Sequence, residues 1–81
     1  MFNPLYEIKE MLINLDGLKD EEIKIEIEKF HNIIIVPRIK TETYLYLKNI
    51  GLGITEDFDT SGKAIKYCIF VRWDKNVWTI N

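Results

Sequence analysis

The sequence predicts a single α+β domain spanning residues 1–81, with an N-terminal helix, an antiparallel sheet of four to five strands and a second helix at 41–50. Three patterns carry that prediction. Apolar residues recur at helical spacing behind Asn3-Pro4. Isoleucines alternate with charged residues at 23–27, and β-formers alternate again from 64 to 73. A helix-stop signature occupies 48–52.

Asn3 can cap free backbone N–H groups, and Pro4 at the first helical position sacrifices no hydrogen bond. Leu5, Ile8, Leu12 and Leu15 then fall on one helical face, which is expected to be buried. Asp16-Gly17 ends the helix, because glycine adopts positive φ without strain.

Residues 20–30 admit two readings. Asp20-Glu21-Glu22 could open a helix with Ile23, Ile27 and Phe30 on one face. The alternation of Ile23, Ile25 and Ile27 with Lys24, Glu26 and Glu28 instead describes a half-buried strand. The strand is preferred, since Ile25 would sit on the wrong side of the helix. His31-Asn32 then reads as a tight turn into a second strand, Ile33 to Val36, with Pro37 marking an edge. An exposed edge near 33–36 would invite strand addition and a homodimer.

Residues 41–50 alternate in the manner of a strand. Yet Lys48-Asn49-Ile50-Gly51-Leu52 has a basic last turn, then glycine, then an apolar residue, the signature of a Schellman helix end. Helix is therefore preferred, with Thr41 as its cap. The remainder reads as a β meander. A strand at 54–58 meets a turn at 59–62, and a long strand at 64–73 follows. It has apolar residues on both faces, as a central strand covered on both sides would. A turn at 74–76 and a strand at 77–80 close the chain, and Trp73 and Trp78 could pair across that turn.

Composition limits the function. The apolar fraction of 47% is that of a folded domain. Residues 1–36 carry four Lys/Arg against eight Asp/Glu, while 37–81 carry seven against five. The acidic first half suits an oriented partner and not a general nucleic-acid coat. The longest apolar run, residues 33–36, is far too short to span a bilayer, and the first residues do not resemble a signal peptide. The expected location is the cytoplasm.

No constellation points to catalysis, a cofactor or a metal. A single cysteine, Cys68, and a single histidine, His31, exclude a cysteine cage and a multi-histidine site. Asp57-Phe58-Asp59-Thr60-Ser61-Gly62 resembles the opening of a calcium loop, but the twelfth position is Cys68 where a carboxylate is needed. A hairpin turn is the preferred reading of that segment.

The expected function is therefore non-enzymatic: an inhibitor or regulator that binds another protein. Small proteins of this composition are common on phages, viruses and other mobile elements. The candidate contacts are the acidic residues Glu21, Glu22, Glu26 and Glu28 with the aromatic residues Tyr46 and Trp78. The alternative is a winged-helix-like DNA-binding regulator. It requires helices at both 20–31 and 41–50, places Arg38, Lys40, Tyr44 and Lys48 on or before a recognition helix, and puts Lys63 near the tip of a wing.

Overall fold

The computed structural model describes residues 4–28 and 31–72. Along the chain run helix α1 (Pro4–Asp16), a 3-10 turn (Asp20–Glu22), strands β1 (Lys24–Ile27) and β2 (His31–Val36), helix α2 (Thr41–Asn49), and strands β3 (Gly53–Phe58) and β4 (Ala64–Arg72). The strands form one antiparallel sheet in the order β1-β2-β4-β3, so β1 and β3 are its edges. The α+β class and both helices match the expectation from sequence. Asn3, the proposed cap of α1, lies outside the described residues, as do Trp73, Trp78 and the strand proposed at 77–80.

Leu5, Ile8 and Leu12 drive α1 onto the sheet. Continuing that stripe by four residues reaches Asp16, which is buried, and turns Leu15 out onto the flank. Leu15 is 58% exposed and does not belong to the core. Leu18, beyond the helix, fills the inner place. Gly17 at φ +68° turns the chain, and the Leu18 N–H returns to the Leu12 carbonyl at 3.3 Å.

The strand reading of 23–27 is correct, with β1 at Lys24–Ile27 and Asp20–Glu22 forming a short 3-10 turn before it. Two expectations for the next segment are not. His31 and Asn32 are the first residues of β2, paired with Arg72 and Val71, and not a turn. Residues 33–36 are not an edge, because β2 is bonded to β1 on one side and β4 on the other. A run of apolar β-branched residues suits such an interior strand, where both faces meet neighbours.

Thr41 is the first residue of α2 and not its cap. Lys40 holds the capping position without a side-chain bond of its own. At the other end the helix closes as its sequence signature predicts. The Leu52 N–H bonds the Leu47 carbonyl at 3.1 Å, the Gly51 N–H bonds Lys48 at 3.0 Å, and Gly51 takes φ +95°.

The core lies between the helices and one sheet face. Leu12 and Leu47 from the helices meet Ile34, Val36, Ile69 and Val71 from the two central strands, all essentially inaccessible. Each such side chain contributes about 2 kcal/mol of burial. β4 is central, as expected, but its two faces differ. Ile69 and Val71 are buried, whereas Cys68 and Phe70, which point the other way, are half-buried beside Ile33 and Ile35. Both helices pack on the Ile69 side.

Candidate interaction surfaces

The turn of α1 that buries Leu12 places Met11 and Leu15 on the flank facing α2. On α2, Thr43 and Leu47 point inward, so Glu42 and Tyr46 fall on the facing flank. Between the two flanks runs a groove of about 300 Å³ lined by Met11, Leu15, Lys40, Glu42, Thr43 and Tyr46. Leu15 and Tyr46 are both at least half exposed, and Met11 supplies a partly buried floor. Lys40 and Glu42 put one charge of each sign on the groove.

The groove is held at one end by a buried carboxylate. Asp16 accepts the Lys40 N–H at 2.8 Å and the Thr43 hydroxyl at 2.5 Å. This acid from the end of α1 caps the start of α2, where free N–H groups and the helix dipole favour negative charge. The spacing of the helices is thereby fixed beside the groove.

Of the residues proposed from sequence, the structure places Tyr46 in this groove and the acidic set elsewhere. Glu21 and Glu22 lie with Lys24 and Lys66 around a separate hollow of about 310 Å³ at the far end of β2. The charges there are balanced. Glu22 receives both arms of the Arg38 guanidinium, at 2.7 and 3.3 Å, and also the Lys19 N–H at 3.0 Å. The guanidinium, then the Lys19 N–H, hold the Glu22 carboxyl below its ordinary range. Glu26 and Glu28 are exposed on and just after β1. Trp78 lies outside the described residues. Met11 and Leu15 were missed, and the signal for Leu15 was available: a helix repeat of 3.6 carries the stripe 5, 8, 12 to 16 and leaves 15 on its flank.

The residues of the nucleic-acid alternative are distributed over three places in the fold: the loop before α2, α2 itself and the β3–β4 turn. Arg38 is paired with Glu22, Lys48 sits 6.0 Å from the centre of the half-buried Tyr44 ring, and Lys63 follows the β3–β4 turn. The second helix that this reading required at 20–31 is replaced by β1.

The calcium-loop resemblance is structural in origin. One oxygen of Asp59 accepts the Ser61 hydroxyl at 2.6 Å and the backbone N–H groups of Ser61 and Lys63 at 2.9 and 3.0 Å. That oxygen is thus engaged by its own turn, and Asp57 pairs instead with Lys66 at 3.3 Å. Among the described residues no group of three His, Cys, Asp or Glu side chains converges on a metal position. Cys68 pairs with Ile35 across the sheet, four positions from His31 on the same strand, a separation of roughly 13 Å along the ladder that keeps the two backbones apart. Among the described residues no helix is long and apolar enough to cross a membrane.

No protein-family model, curated protein or solved structure matches the chain.

Proposed function

We propose that this domain is a non-enzymatic protein-binding module, an inhibitor or regulator, that takes an apolar side chain of its partner into the groove between α1 and α2. The observation that carries the reading is the exposure of Leu15 and Tyr46 across a hollow floored by Met11. Two large apolar residues held out of the core by rigid helices lose little entropy on binding, and a concave apolar site of about 300 Å³ accepts one large side chain. Tyr46 adds a phenol that can bond a partner's backbone while its ring is covered. Lys40 and Glu42 set the polar rim that orients the partner.

A photo-crosslinking residue at position 46 tests the site directly. Under this reading it traps one protein partner in the source cell, and the same residue at Phe58, equally exposed but at the sheet edge, does not. Equal trapping at both positions, or none at position 46, would reject it.

A further inference from the structure

We propose that two copies of the chain join through β1, edge to edge, about a twofold axis centred on Ile25. β1 is the outermost strand, so the backbone groups on its free side have no strand partner among the described residues. Its sequence with the residue before it reads Ile23-Lys24-Ile25-Glu26-Ile27. Ile23 is buried and Ile25 half-buried, but Ile27, on the same side, is 80% exposed. No described element covers it.

A twofold axis between antiparallel strands runs through the sheet, and residues facing each other point to the same side. Centred on Ile25, it sets Ile25 against its own copy and Ile27 against Ile23 of the second copy, so the most exposed isoleucine meets apolar surface. On the opposite side Lys24 meets Glu26 of the second copy, twice by symmetry. The neighbouring registers are worse: centring on Ile23 draws the 3-10 turn Asp20–Glu22 into the seam and leaves Ile27 facing Lys19, and the rest fail on charge. Centring on Lys24 or Glu26 sets that charge against itself, and centring on Ile27 sets Glu26 against Glu28. In the favoured register Glu22 faces Glu28 only beyond the strand ends, where Arg38 already holds Glu22. Among the described residues neither Lys24 nor Glu26 has an ion-pair partner within the chain. A charged edge ordinarily repels a second strand. Here the two charges are opposite and symmetrically placed, so the edge repels most strands and complements itself. The product is one continuous eight-stranded sheet, four strands from each copy.

Sedimentation equilibrium of the full chain and two charge-reversed variants tests this. The wild type forms a weak dimer. K24E and E26K, each altering one exposed side chain, weaken it about tenfold because like charges then face each other twice. An equimolar mixture of K24E and E26K forms a heterodimer, since one chain now presents two carboxylates and the other two ammonium groups. The double variant K24E/E26K restores the homodimer. A wild type that stays monomeric up to about 1 mM, or a mixture no more associated than its components, overturns the proposal.

Discussion

The carboxylate of Asp16 meets the hydroxyl of Thr43 at 2.5 Å, joining the last turn of one helix to the first turn of the next across 27 residues of sequence. Asp16 sits at the unfavourable, negative end of α1 and is compensated by the positive end of α2, where it also binds the Lys40 N–H. One buried acid therefore terminates one helix, starts another and sets the width of the groove between them.

Removing that acid should be expensive for an 81-residue chain. Asp16→Ala strips α2 of its cap and leaves the Thr43 hydroxyl without its partner, and should lower the unfolding free energy by about 2 kcal/mol. Thr43→Val should cost about 1 kcal/mol. The double variant should lose about 0.5–1 kcal/mol less than the sum, because both substitutions remove one shared bond. Urea unfolding of the three variants measures the coupling, and strictly additive losses would show that the contact is not formed.

Leu12 and Leu15 are separated by less than one helical turn and should respond oppositely. Leu12→Ala empties a fully buried site and should cost about 2–4 kcal/mol. Leu15→Ala acts on an exposed flank and should change stability by less than about 0.5 kcal/mol. Equal losses at the two positions in urea unfolding would place Leu15 in the core.

Acid should weaken the fold through two carboxylates. The Arg38 guanidinium, and then the Lys19 N–H, hold the Glu22 carboxyl below its ordinary value; the Ser61 hydroxyl, and then the Lys63 N–H, do the same for Asp59. A carboxyl with a folded pKa below its unfolded one contributes stability above the unfolded value and loses it as pH falls through the folded value. The thermal midpoint should therefore decline below about pH 5, and by less in a Glu22→Gln/Asp59→Asn double variant. Lys9 has the opposite sign. Its hydrogen bond with Asp20 raises its pKa, so that contribution persists at neutral pH and disappears only as pH rises above the ordinary lysine value. An acid decline identical in the double variant and the wild type would contradict the assignment.

These contrasts show where the sequence was legible. Several local signals decide the fold: Asp16-Gly17 and Lys48 to Leu52 end helices, Asp59 to Gly62 makes a turn, and isoleucine alternation makes β1 a strand. Each is decided by residues a few positions apart. Other features depend on residues far apart in the sequence, and the exposure of Leu15 on exact helix phase. A run of four β-branched residues reads equally well as an edge or an interior strand, and only the partners β1 and β4 place β2 inside. The cap of α2 could not be found near Thr41, because it comes from Asp16 in another helix. Among the described residues Tyr46 alone of the candidate contacts lines the groove; Glu21 and Glu22 line a separate hollow, and Glu26 and Glu28 lie on and just after β1.

The dimer edge and the groove occupy different elements, so their tests are independent. K24E and E26K should leave partner binding through the groove intact, and Leu15→Glu should leave self-association intact. Sedimentation of Leu15→Glu alongside the wild type checks the second statement, and a monomeric Leu15→Glu variant would show that the groove itself joins the two copies.

The central claim is that a protein partner docks between Met11, Leu15 and Tyr46. Its most direct measurement is affinity capture from the source cell with wild type, Leu15→Glu and Tyr46→Ala as parallel baits, all verified as folded. The wild type should retain one partner in stoichiometric amount. Both variants should retain at least about tenfold less. Retention that is equal across the three baits, or absent from the wild type, would contradict docking at this groove.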